Sequence, residues 1–401
     1  MEADRATFGA LQVGGVSCFP GPGCMRFEYI DTTEGLGRFR DALESAASIA
    51  LDLEAAGFHR YSDRVCLAQV TLPKAGNWVL DPLAVEIAPV LRPVLEDPRV
   101  PILMHGADFD LRLLQRDLDI SLRGLLDTQI VATLLGEPGI GLASLLEKYA
   151  DVKLAKKYQR ADWAKRPLKQ EMLEYAVNDT AWLHELTRRL VVQLEQQGRG
   201  AWASEEFRLL ESIEHTEDGD VDPVTRVKGA RDLGPRELER LRAAWNWRDE
   251  IARRDDRAPF RVASDKVLVD VALDPPRSPN DFADRKGVNG RLARSDGGDL
   301  IAALRKADEL DERELSGYPR QESSGRGRPP PEVDALAGRL KKVRNRHAES
   351  LGVDRGALLP NAVLLEIAFE KPKELADLDR IEGMKQWQIE TVGEQLLTVV
   401  N

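Results

Sequence analysis

A chain of 401 residues exceeds what a single hydrophobic core usually serves, so two or three domains are expected. With 42% hydrophobic and 31% charged residues, no run near the roughly 18 uncharged apolar residues of a membrane span, and no basic-then-apolar leader at residues 1–5, it reads as a soluble cytoplasmic protein with no membrane partner. The formal charge of −11 excludes a uniformly basic nucleic-acid binder, so any such contact must rest on local clusters.

Residues 1–24 form an N-terminal extension without a legible pattern. Its Cys18 and Cys24, with Cys66, make an odd, sparse set that suits a reducing compartment, and the first two lack the second pair that a zinc site needs. From 25 to 104 short apolar runs alternate with polar turns: MRFEYI at 25–30, SIALDLE at 48–54, RVCLAQVT at 64–71, WVL at 78–80 and VPILM at 100–104 predict strands, with helices between them over 32–47 and 83–96. From 108 to about 197 the spacing turns helical, as in Leu111, Leu114 and Leu118, then Leu183, Leu186 and Leu190, which makes 25–200 one α/β domain. Residues 201–232 are polar and read as a connecting segment. Helical spacing around Leu238, Leu241, Trp245 and Ile251 marks a unit over 233–312; a Gly/Pro/Arg linker at 313–331 precedes a second helical unit at 332–401.

Three acidic elements stand out. Asp52 and Glu54 lie two apart in an otherwise apolar strand, so its alternation turns both to one face, where burial without a counter-charge is costly. Next, HGADFD at 105–110 allows a tight strand-to-helix turn; of the two acids in the first helical turn, Asp108 reads as a cap and Asp110 as a site residue. His105 has no second histidine near it and reads as structural. Finally Tyr175 and Asp179, four apart within a helix expected over 169–190, share one face. Four carboxylates in one pocket repel by several kcal/mol per pair at an effective dielectric of about 20, so protons or cations must neutralise them. Oxygen-only ligands favour two ions of Mg²⁺ or Mn²⁺, a device for in-line attack on a phosphodiester, with Tyr175 orienting the water.

In this order the three elements resemble the tyrosine-containing DEDD exonucleases, and in detail the ribonuclease D family. The likeness extends through Asp127-Thr-Gln129, GLASLL at 141–146 and QRADWAKRPL at 159–168 to Tyr175. It implies a ribonuclease H-like fold, a mixed sheet flanked by helices, with metal ligands Asp52, Glu54, Asp110 and Asp179 and catalytic Tyr175. It also implies two divalent cations and release of nucleoside 5′-monophosphates from 3′ ends of structured RNA, above all tRNA precursors. Residues 245–273 with Pro259, and LPNAVLLEIA at 359–368 with Pro372, Leu375 and IEG at 381–383, resemble two HRDC domains, though Trp387-Gln stands where that family often has an aromatic-Gly step.

Basic residues gather at Lys153, Lys156, Lys157, Arg160, Lys165, Arg166 and Lys169, and again at Arg320, Arg326, Arg328, Arg339, Lys341, Lys342, Arg344 and Arg346. Candidate nucleic-acid contacts are Lys157, Arg160, Lys165 and Arg166 as phosphate ligands and Phe58 and His59 as stacking partners for the terminal base or sugar. Two other readings compete: a 3′→5′ DNA exonuclease, or a non-catalytic binding protein of the same fold. No Gly-x-x-x-x-Gly-Lys-Ser/Thr loop occurs, so no nucleotide cofactor or motor role is expected.

Overall fold

The computed structural model describes residues 25–155, 157–214, 221–319 and 329–401. The N-terminal extension, Cys18, Cys24, Lys156, Arg320, Arg326, Arg328 and the middle of the expected linker, 320–328, lie outside them.

Strand β1 (Phe27–Ile30) leads into helix α1 (Thr33–Leu43), started by the Thr32 hydroxyl accepting from the Gly35 N–H at 3.2 Å. Strands β2 (Ile49–Ala55), β3 (Val65–Leu72) and β4 (Gly76–Leu80) follow as an antiparallel meander, and then α2 (Ala88–Leu95), β5 (Ile102–Met104), α3 (Asp108–Leu118) and β6 (Leu125–Asp127). The six strands order as β1-β4-β3-β2-β5-β6, with β1–β4, β2–β5 and β5–β6 parallel. This is the mixed sheet flanked by helices that the resemblance implies. All eight residues of β3 are buried, because helices cover both of its faces.

Helices α4 (Thr128–Leu135), α5 (Leu142–Ala150), α6 (Gln170–Ala181), α7 (Leu183–Gln196) and α8 (Gly200–Glu211) complete the first domain. Three expectations are corrected here. The purely helical reading of 108–197 misses β6, a three-residue, fully buried parallel strand too short to show any period. The single helix over 169–190 is two, because the N–H of buried Trp182 turns to the Thr180 carbonyl and breaks the ladder between α6 and α7. The segment 201–232 is not a mere connection: α8 sinks Ala203 and Phe207 into the domain core, and Val224, Val227 and Ala230 join the next one.

The first helical unit comprises α9 (Pro235–Arg254), α10 (Pro259–Val262), α11 (Asp265–Leu273), α12 (Pro279–Ala283) and α13 (Gly290–Asp308), around Leu238, Leu241, Trp247, Leu268 and Phe282. The second comprises α14 (Pro331–Leu351), α15 (Arg355–Leu358), α16 (Asn361–Glu370), α17 (Leu375–Leu378) and α18 (Gln386–Val400), around Leu340, Ile367 and Val392. Both dock on the α/β domain. Trp387 of α18, 2% exposed, stacks on Trp202 of α8 with centroids 4.6 Å apart, and Lys385 pairs with Glu206 at 2.6 Å. Arg60, in the loop after β2, pairs with Asp256, and the Tyr61 hydroxyl donates to Asp249 at 3.0 Å.

Among the described residues no helix is long and apolar enough to cross a membrane.

Candidate active site

The alternation of β2 turns Asp52 and Glu54 to the same face, and the antiparallel register sets Asp52 opposite Gln69 of β3. Helix α6 lies across that face. Its Met172, Leu173, Ala176 and Val177 pack against Leu67 and Val79, and the Thr180 hydroxyl meets Thr71 of β3 at 2.9 Å. The helix is thereby fixed in rotation, and Tyr175 and Asp179, one turn apart, are carried to the β2 edge. Ligand oxygens of Asp52, Glu54 and Asp179 all lie within 4.8 Å of one another.

Asp110 stands in the first turn of α3, 8% exposed. It is outside the group of three, yet its charge helps raise Glu54 and it is itself raised by Asp52. The turn that places it is held by a residue to which the sequence reading assigned no role. The carboxylate of Asp127, 1% exposed, accepts from the Gly106 and Ala107 N–H groups at 3.0 and 2.8 Å, and caps α4 through the Gln129 N–H at 2.7 Å. Gly106 takes φ +71°, with the Gln129 amide against the place a Cβ would occupy. Asp108 is not the cap expected of it: Ala107 occupies the N-cap, and Asp108 pairs with Arg112 at 3.1 Å on the surface.

None of the four acids has a Lys or Arg partner among the described residues. Burial therefore dominates their titration: it lifts Asp52 to about 7 and, with the Asp52 charge adding to it, Asp179 to about 8. Burial and neighbouring carboxylates hold Glu54 and Asp110 well above the carboxylate range. At separations under 5 Å each ionised pair repels by about 3 kcal/mol at an effective dielectric near 20. The donor set is oxygen-only and anionic, which fits hard divalent cations.

A second sign of a polar guest is Gln69. Its side chain is fully buried beside Asp52 with neither amide atom hydrogen-bonded, an arrangement that costs about 1–3 kcal/mol per group unless something supplies a partner. A glutamine in the middle of VCLAQVTL was the available sequence signal.

Tyr175 is half-buried between Tyr158 and Trp163, with ring centroids 5.8 and 6.2 Å away. Burial and the nearby carboxylates push its phenol up, so the hydroxyl keeps its proton through neutral pH. With Asp179, Lys157, Tyr158 and Glu171 it lines a cleft of about 250 Å³.

The candidate nucleic-acid contacts divide. Lys157 is exposed at that cleft, paired with Glu171 at 3.1 Å, and Lys165 is exposed without an ion-pair partner among the described residues. Phe58 is exposed beneath the Arg160 guanidinium, and His59 Nε2 lies 2.8 Å from the Arg160 carbonyl. Arg166 is spent on the fold, which corrects its reading as a phosphate ligand. It grips buried Asp81 with Nε and Nη2 at 2.6 and 2.7 Å and donates to the carbonyls of Trp163 and Cys66. Likewise Arg344 is buried and bonds the Arg355 and Leu359 carbonyls. His105 Nδ1 lies 2.9 Å from the Thr128 hydroxyl, while its buried Nε2 has no hydrogen-bond partner among the described residues.

Comparison with known proteins follows the same division of the chain. The model of the 3'-5' exonuclease family matches residues 27–195, and that of the HRDC domain matches 237–304 and 333–400. A ribonuclease D of Pseudomonas paraeruginosa is 30% identical over 81% of this chain and 84% of its own. Among solved structures, a protein from Bifidobacterium adolescentis superposes with a TM-score of 0.80 at 25% identity, covering 93% of this chain and 96% of that one. Escherichia coli RNase D, an exoribonuclease involved in structured RNA processing, superposes with a TM-score of 0.68 at 25% identity over 94% of this chain and 99% of that one.

Proposed function

Given that the chain belongs to the ribonuclease D family, and is on that account a 3′→5′ exoribonuclease, we propose that it works with two divalent cations and releases nucleoside 5′-monophosphates from the 3′ ends of tRNA precursors and other structured RNAs. The observation that carries this reading is the meeting of Asp52, Glu54 and Asp179 within 4.8 Å, uncompensated by any described cation. Those three would hold the ions, with Asp110 completing the set from α3. Bound there, Mg²⁺ or Mn²⁺ supplies the charge and Lewis acidity for water to attack a terminal phosphodiester.

The chain's own groups do the rest. Tyr175, protonated and steadied by Tyr158 and Trp163, offers its hydroxyl to orient the attacking water. Asp127 keeps the Asp110 turn from drifting, since two backbone N–H groups of that turn end on its carboxylate. Lys157 and Lys165, both exposed, would draw phosphates toward acids that would otherwise repel RNA.

The test is product analysis on end-labelled RNA and its matched DNA strand, with Mg²⁺ and with chelator. Mononucleotides cut successively from the 3′ end of RNA, and silence with chelator, are expected. Equal or faster loss of DNA would reject the RNA assignment, and chelator-resistant turnover would reject the metals.

A further inference from the structure

At the junction of the α/β domain with the first helical unit, two phenylalanines from different domains stand in the open. Phe58 is 41% exposed and Phe260 50%, with ring centroids 5.4 Å apart. Arg261 lies over both rings, at 4.8 and 5.8 Å, and donates Nε to the Phe58 carbonyl at 2.7 Å; Arg160 lies over Phe58 at 5.5 Å. Single exposed apolar residues are ordinary, whereas here two exposed rings from different domains lie in contact with each other and with two guanidiniums.

Its charge is as telling as its rings. Nearby Arg60 is neutralised by Asp162 at 2.8 Å and Asp256 at 3.3 Å, whereas Arg160 and Arg261 have no carboxylate partner among the described residues of this acidic chain. Stacking on the rings fixes both guanidiniums in place, so an incoming anion meets them already oriented.

The cluster also sits beside the candidate active site. Phe58 follows Glu54 by four residues, at most about 14 Å of chain. Arg160 belongs to the same segment as Tyr158 and Trp163, which flank Tyr175.

We propose that Phe58, Phe260, Arg160 and Arg261 form a second subsite for single-stranded RNA whose 3′ end occupies the acidic cleft. The open ring of Phe260 stacks on a base and the two guanidiniums hold phosphates of the same strand. Half of the subsite comes from each domain, so it exists only while they are docked, through contacts such as the Ala258 N–H to the His59 carbonyl at 3.1 Å. The proposal rests on the ribonuclease reading and adds to it a site away from the reacting phosphate.

The test is binding of dye-labelled single-stranded RNA, a dinucleotide and a dodecamer, to the full chain in EDTA. Phe260→Ala weakens dodecamer binding by ~5- to 100-fold while dinucleotide binding stays as in wild type, and Phe260→Tyr keeps both. Arg261→Gln lowers the slope of log affinity against log salt by about 0.7 for the dodecamer. Wild-type dodecamer affinity and salt slope in both Phe260→Ala and Arg261→Gln would overturn the subsite, as would equal losses for the two RNAs. Failure of the wild-type chain to bind either RNA would overturn the ribonuclease reading and this proposal with it.

Discussion

Asp52 and Asp179 bind their last protons at about 7 and about 8, because burial disfavours their charged forms before any neighbour is counted. Both pKa values are raised in the fold, so the ion-free protein loses stability as pH climbs from the ordinary carboxylate range through about 7 and 8. A divalent ion must displace those same protons, so its affinity rises across that window, by about tenfold per pH unit for each proton displaced. Calorimetric titration of Mg²⁺ or Mn²⁺ into chelator-stripped protein, in buffers of different ionisation enthalpy, would show the protons leaving; a pH-independent affinity would contradict the site. Asp179→Asn should cut hydrolysis by at least ~100-fold while RNA binding in chelator stays close to wild type. Unchanged turnover in that variant would mean that the reacting phosphate lies elsewhere.

At the scale of elements, the C-terminal end of the segment 157–168 is anchored on the sheet by the Arg166–Asp81 ion pair. Asp81 is buried and Arg166 reaches it with two donors while spending others on backbone carbonyls, and the Tyr29 hydroxyl donates to the same carboxylate. Arg166 and Tyr29 together hold Asp81 below the carboxylate range against the opposing effect of its burial. Removing one partner of such a pair leaves a buried charge, so Arg166→Met should destabilise by about 3 kcal/mol and lower Tm. Weaker RNA binding at an unchanged Tm would instead return Arg166 to the nucleic-acid surface.

The spacing of Tyr175 and Asp179 was legible as one helical face, yet periodicity cannot say toward which neighbour that face turns. The apolar packing of α6 on β3 and the Thr71–Thr180 contact decide it. Strand β6 and the break at Trp182 escaped for a related reason: three buried residues and a single redirected N–H leave no period to read.

On the scale of the whole molecule, the second helical unit is not a detachable appendage. Ala348, Leu358 and Trp387 belong to the same apolar cluster as the sheet, and Arg199 crosses the boundary to bond the carbonyls of Leu134 and Leu351. Trp387→Ala should therefore cost the exonuclease domain about 3–5 kcal/mol, read as a drop in Tm reported by near-UV signals of Trp202. A variant that melts as wild type would show that the Trp202–Trp387 stack contributes nothing to the fold. The net charge of −11 is reconciled with an RNA substrate by placement: Asp52, Glu54 and Asp179 meet within 4.8 Å, while Lys157, Arg160 and Lys165 lie exposed on the segment that carries Tyr158 and Trp163 against Tyr175.

Residue order alone determined the family, the strand that bears Asp52 and Glu54, and the helical face shared by Tyr175 and Asp179, because those signals are local periods and motifs written within a few residues. Only the folded chain decided that Asp127 fastens the Asp110 turn, that Gln69 lies unpartnered beneath the acids, that Arg166 serves Asp81, and that Phe260 meets Phe58. Each of these joins positions far apart in sequence, and such pairings are selected by packing and by the cost of burying an unpaired polar group, which no local pattern encodes.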